Sequence, residues 1–94
     1  MTVRPSTAYR RDMAQTVGDV VARNVRARRS WLRMRQQDVA DRLGVSRPTL
    51  ASIEAGRRAI TVEDLPRLCA ILAITLDDLF AGVDEEQRRV MGLG

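Results

Sequence analysis

The sequence predicts an all-α protein, a compact five-helix bundle with a basic N-terminal arm over residues 1–16, a helical domain over 17–82 and a short C-terminal extension over 83–94. Three observations carry this expectation. Apolar residues recur at three- and four-residue spacing through most of the chain, the period that lines one side of an α-helix. Glycines stand directly after periodic stretches, at Gly44, Gly56 and Gly82, where a left-handed residue can close a helix without a Cβ penalty. Finally, 94 residues with one cysteine must hold a single core by packing, without an internal disulfide.

The first stretch, Met1 to about Thr16, holds Pro5, Ser6 and Thr7 and has no sustained apolar period, so it reads as an arm. Helix 1 is expected from Val17 to Arg33, with Val21, Val25 and Leu32 along one side and Trp31 near its edge. Arg29 falls in that same stripe, and a buried arginine requires a partner.

Two short helices follow with a sharp turn between them. Val39, Ala40 and Leu43 share one side of the first, and Gly44 ends it. Val45 points back to the core, and Ser46 is a good N-cap for the next helix, Arg47 to about Ala55. Pro48 lies in its first turn, where a missing N–H costs least. Leu50 and Ile53 give this helix its apolar side. Ala40 matters because helices joined by so short a turn must cross closely.

Further on, Ile60 re-enters the core. Thr61 and Asp64 look like a helix start, but Pro66 belongs in a first turn, which moves the start towards Asp64. Leu65, Leu68, Cys69 and Leu72 line one face of this helix, with Cys69 a small buried hydrophobe. Thr75 caps a fifth helix, in which Leu76, Leu79 and Phe80 close the bundle. In the extension, Asp84, Glu85 and Glu86 precede Arg88 and Arg89, the order that suits a short helix's macrodipole. Val83, Val90, Met91 and Leu93 would then bury against a second copy; a frayed tail is the alternative.

The pattern leaves Arg47, Thr49, Ala51 and Ser52 without an apolar role, so they are expected on an exposed outer face. A rigidly held helix with short polar side chains and an arginine can enter a DNA major groove. This stretch, at Gln36, Ala40, Gly44, Val45, Ser46, Leu50, Ile53, Glu54 and Gly56, resembles the helix-turn-helix of the phage-repressor-like family, the Cro and C1 type of bacterial DNA-binding domain, also called the XRE family. The likeness runs from about Val21 to Phe80 and implies a lambda-repressor-like fold.

The resemblance also implies roles. Base-reading positions fall on Arg47, Pro48, Thr49, Ala51 and Ser52. Gln36 and Ser46 are expected at phosphates, Gln36 also bracing the recognition helix. Arg29 is expected to pair with Glu54 as a structural clamp. From the residues themselves, Arg47 suits a bidentate guanine contact, with a phosphate contact as the alternative. Pro48 offers no hydrogen bond, so it either packs on a base or leaves readout to Arg47 and DNA shape. Arg57 and Arg58, on the loop after the helix, suit phosphate clamps. Arg4, Arg10 and Arg11 of the arm can follow the backbone or reach a minor groove, or the arm has no role.

Charge agrees with a preferred side for a polyanion. The net charge is +2 over residues 1–16, +5 over 17–35, +1 over 36–58 and −4 over 59–94. With no histidine, no paired carboxylates in a pocket-forming context and no glycine-rich phosphate loop, an enzyme is the weakest reading, and no metal or cofactor is expected. The longest apolar run, Leu68 to Leu76, is too short for a bilayer and no signal peptide is evident, so the expected location is the cytoplasm. The function expected is a sequence-specific double-stranded DNA-binding regulator, a repressor in the simplest case and a homodimer. Its acidic C-terminal half, with Ile71, Ile74 and Leu76, would form the dimer interface. The alternative is a protein-interaction partner, such as an antitoxin or adaptor on the same fold.

Overall fold

A computed structural model describes residues 16–90 and 92; the arm, including Arg4, Arg10 and Arg11, and the tail residues Met91 and Leu93 lie outside the described residues. Among the described residues there are six helices: α1 (Val17–Trp31), α2 (Gln36–Leu43), α3 (Arg47–Glu54), α4 (Asp64–Leu72), α5 (Leu76–Leu79) and α6 (Glu85–Val90). No described helix is long and apolar enough to cross a membrane. The sixth helix lies within the extension, with Glu85 and Glu86 in its first turn and Arg88 and Arg89 in its last.

Helix α1 is the spine, touching α3, α4 and α5. Thr16, grouped with the arm from sequence, is its N-cap. Thr16 Oγ1 accepts from the Asp19 N–H at 3.0 Å, and the Thr16 N–H donates to the Asp19 carboxylate at 3.2 Å, a reciprocal capping box. Val20, Val21, Ala22 and Val25 are buried under it, a wider stripe than Val21, Val25 and Leu32. The helix stops at Trp31, two residues before the expected end, because Arg33 takes a left-handed φ of 59° and the Met34 N–H returns to the Arg29 carbonyl at 3.1 Å. No glycine marks that stop, so periodicity alone ran past it. Trp31 is 71% exposed, far from a core edge, and stacks over Arg28 with 4.5 Å from guanidinium to ring centroid.

Two polar residues of α1 perform work invisible to an apolar pattern. Arg28 Nε donates to the Leu72 carbonyl at 2.8 Å and Nη2 to the Ala73 carbonyl at 3.1 Å, satisfying the C-terminus of α4 with a positive charge. Asn24 Nδ2, one turn earlier, donates to the carbonyls of Leu79 and Ala81 at 2.8 and 2.9 Å and closes α5 in the same way.

The core is built from Val25, Val39, Leu43, Leu50, Leu68, Leu72 and Leu79, all essentially inaccessible, with Phe80 at its edge. Ala40 is wholly buried, as a close α2–α3 crossing demands. Helix α4 begins at Asp64, whose N–H meets the Thr61 hydroxyl at 3.2 Å, and Pro66 sits in its first turn. Leu65 and Cys69 are only half-buried; partial burial still pushes the Cys69 thiol above its ordinary pKa.

Two expectations for the C-terminal half need correction. Leu76 does not close the bundle; as the first residue of a four-residue helix it projects outwards and is 41% exposed. Val83 is buried in the chain's own core, because the Val83 N–H bonds the Phe80 carbonyl at 3.0 Å in a tight turn that folds it inwards, so it is not free to meet a second copy.

Ala73 ends α4 with a left-handed φ of 54°, a conformation that costs a residue with a Cβ about 1–2 kcal/mol. Its side chain is exposed, so nothing is lost on removing it. Ala73→Gly is therefore expected to raise stability by about 1 kcal/mol after glycine's larger unfolded-state entropy is deducted. For a domain of this size that is an increase of roughly 4–8 °C in Tm, measurable by circular dichroism; no increase would mean the turn is not left-handed.

Candidate nucleic-acid interface

The α2–turn–α3 unit is set by local chemistry. Gly44 takes φ +83° at the end of α2, and the N–H groups of Gly44 and Val45 both bond the Ala40 carbonyl, at 2.9 and 3.0 Å. Ser46 then caps α3: its Oγ accepts from the Thr49 N–H at 3.2 Å and donates to the Thr49 hydroxyl at 2.9 Å. These bonds commit the Ser46 side chain to the cap. With Thr49 as acceptor, the Thr49 hydroxyl proton remains for an outside oxygen.

Arg47 and Pro48 are exposed at the leading end of α3, but Thr49, Ala51 and Ser52 are half-buried rather than fully outward. The difference has a steric cause. Short side chains barely clear the backbone of a helix flanked by α1 and α2, so only its leading end stands proud. Glu54 ends the helix and Ala55 is its C-cap, one residue earlier than expected.

A chain of polar contacts fixes this helix from behind. Arg29 meets both oxygens of Glu54, Nε to Oε2 at 2.6 Å and Nη2 to Oε1 at 3.0 Å, while its Nη1 donates to the Met34 carbonyl at 2.9 Å. The Arg29 and Glu54 side chains are 15% and 2% exposed, so the pair is largely desolvated. Gln36 Nε2 donates to Glu54 Oε1 at 3.1 Å, and Arg47 Nη1 donates to Gln36 Oε1 at 3.1 Å. The expected Arg29–Glu54 partnership is thus present, and Gln36 ties it to the arginine at the front. A glutamine can do this because its amide both donates and accepts. Sequence spacing gave no sign of the Gln36–Arg47 link, which joins residues on different helices.

Just before α2, the Arg35 side chain pairs with Asp38 at 3.1 Å and its N–H donates to the same carboxylate at 2.8 Å, holding the Asp38 carboxyl below its ordinary pKa. At the other end of α3, Gly56 takes φ +77°, and a Cβ there would meet Asp19 Oδ1 at 3.0 Å. The N–H groups of Arg57 and Arg58 return to the Ser52 carbonyl at 2.9 and 3.3 Å, leaving both side chains exposed. Arg47 and the Arg57–Arg58 pair therefore bracket a helix about 12 Å long. Beside its C-terminal end, Arg23 and Arg26 of α1 line a hollow with Asp19, Glu54, Ala55 and Gly56, so charges of both signs meet there. Their approach to α3 was not legible in a helix 1 that read as generally arginine-rich.

A family model described as helix-turn-helix matches residues 25–79. Among curated proteins, the chain is 33% identical over 64 residues to an uncharacterized HTH-type transcriptional regulator, YqaE, of Bacillus subtilis (strain 168); the match covers 68% of this chain but spans only 55% of that relative. Among solved structures, the clp gene regulator ClgR from Corynebacterium glutamicum superposes with a TM-score of 0.69 at 21% identity, covering 83% of this chain and 86% of that one, a likeness of fold. A structure of CoII HppE in complex with substrate also matches, with a TM-score of 0.64 and 26% identity over 68% of this chain and 36% of that one. One fold thus serves in chains of different description, so function has to be argued from the outward face.

Proposed function

We propose, from the premise that this chain belongs to the helix-turn-helix family, that it is a non-enzymatic, sequence-specific regulator of transcription that reads duplex DNA with α3. The observation that carries the reading is the leading end of α3. Arg47 stands exposed there, anchored through Gln36 to a buried ion pair, with two further arginines at the helix's far end. Rigid presentation is what a base-reading side chain needs, because ordering it in advance removes part of the entropy cost of binding.

In this reading Arg47 contacts a base, Pro48 and Ala51 make apolar contacts, and Thr49 and Ser52 bond bases or phosphates. Gln36, the backbone around Ser46, and Arg57 and Arg58 hold phosphates. One module covers only a few base pairs, so a useful specificity ratio calls for two half-sites and a symmetric dimer. Leu76 and Val90, 41% and 82% exposed, are apolar residues offered to that dimer on the acidic side, where Val62 is 81% exposed as well. Repression follows from occupying a promoter.

Selection of bound fragments from random DNA at physiological salt tests the proposal: a palindromic consensus is expected, and no enrichment even at low salt would overturn it. Arg57→Gln and Arg58→Gln should each weaken binding alike on every sequence and lower the slope of log K against log salt by about one. A loss confined to the best operator would contradict the clamp role.

A further inference from the structure

A second concave site lies under the Arg57–Arg58 loop, and its apolar walls have no part in the reading above. It is a hollow of about 380 Å³ between the start of α1, the end of α3, the 56–60 loop and the start of α4. That volume is at the lower end of the roughly 300–1,000 Å³ typical of small-ligand pockets. Among the described residues its walls are apolar: Val17, Val21, Ile53, Ile60, Leu65 and Phe80. Val21, Ile53 and Phe80 form a buried floor, whereas Val17, Ile60 and Leu65 are half-exposed around it, so apolar surface faces the space.

Charge is found only at the mouth and is of one sign. Arg57 and Arg58 are the charged residues among those described as lining it. Asp19, an acid close by, is not among the lining residues: its Oδ2 accepts from the Thr16 N–H at 3.2 Å, and its Oδ1 lies beside Gly56 at the edge of the hollow. The walls carry no hydrogen-bonding side chain, which disfavours a sugar, nucleotide or peptide. An apolar body with one anionic head satisfies both halves of the site.

We propose that this hollow binds a small amphipathic organic anion, an aliphatic or aromatic monocarboxylate, with its body against Ile60 and Leu65 and its carboxylate at Arg57 and Arg58. Because those arginines are also the phosphate clamps, the ligand antagonises DNA binding; that consequence rests on the DNA-binding reading, whereas occupancy of the hollow does not.

Decanoate, kept below its micellar concentration, is a suitable probe for the full chain without DNA, followed by methyl and amide NMR shifts. Saturable shifts confined to Val17, Val21, Ile60, Leu65 and the 56–60 loop are expected. Leu65→Trp should fill the space and abolish them. Ala59→Glu, at an exposed rim position that cannot disturb the core, should weaken decanoate by about tenfold or more and leave neutral decanol unchanged. Unsaturable shifts scattered over the surface, or equal binding of decanoate and decanol in the parent chain, would overturn the proposal. So would contacts from residues 1–15 to the Ile60 and Leu65 methyls in the ligand-free chain, since the hollow would then be filled from within. A chain that binds decanoate but, free of it, binds no DNA would refute the regulator alone; one that binds DNA but not decanoate would refute only the anion site.

Discussion

Glu54→Ala is expected to destabilise the fold by about 3–5 kcal/mol, the cost of removing one member of a buried ion pair. Both carboxylate oxygens are engaged, by Arg29 at 2.6 and 3.0 Å and by Gln36 at 3.1 Å, and the Glu54 side chain is 2% exposed. Alanine leaves a guanidinium that is 15% exposed with one remaining bond of note, to the Met34 carbonyl. At roughly 4–8 °C per kcal/mol for a domain of this size, Tm should fall by more than about 12 °C. Urea denaturation should give the same ranking. Replacing both partners by apolar residues of similar volume, Arg29→Met with Glu54→Leu, should recover much of the loss, because the penalty comes from the stranded charge. An unchanged melting temperature for Glu54→Ala would remove the clamp from the account.

The second large effect concerns Arg47. Arg47→Ala should cost about 1–3 kcal/mol of binding on the best operator, a loss of some five- to 150-fold, while affinity for unrelated DNA falls much less. Discrimination should relax at one base pair in each half-site. The thermal midpoint should move little, since Arg47 is exposed and makes one side-chain hydrogen bond across to α2. Titrations of the parent and variant on operator and scrambled duplexes, at two salt concentrations, separate this from a phosphate contact. A phosphate contact would give the same fold-loss on both duplexes and a shallower salt slope. Gln36→Ala provides a further comparison, because it releases Arg47 without removing its charge. Its loss of specificity should be smaller than that of Arg47→Ala.

Much of the molecule was legible before any coordinates. Helices α2 and α3 and the turn between them follow from local signals: apolar spacing, a glycine at the end of α2 that takes φ +83°, and a serine cap with proline in the next turn. Those signals act within a few residues of themselves, so they survive reading in one dimension. The oddity of Arg29, a charge in an apolar stripe, also announced itself as a residue needing a partner. Its identification with Glu54 needed the family resemblance, since neither residue's spacing names the other.

What the sequence alone determined, then, was the helical class, the positions of the turn and caps, and the arginine-led composition of α3, because each is fixed by backbone propensity and short-range hydrogen bonding. What the tertiary structure decided was which polar groups meet. Arg28 and Asn24 cap the ends of α4 and α5, Gln36 joins Arg47 to the buried pair, Val83 turns inwards and Trp31 outwards. It also created the apolar hollow beneath Arg57 and Arg58, whose walls come from segments more than sixty residues apart, Val17 to Phe80. Periodicity records which side of a helix avoids water; the distance between side chains on different helices is set only when those helices cross.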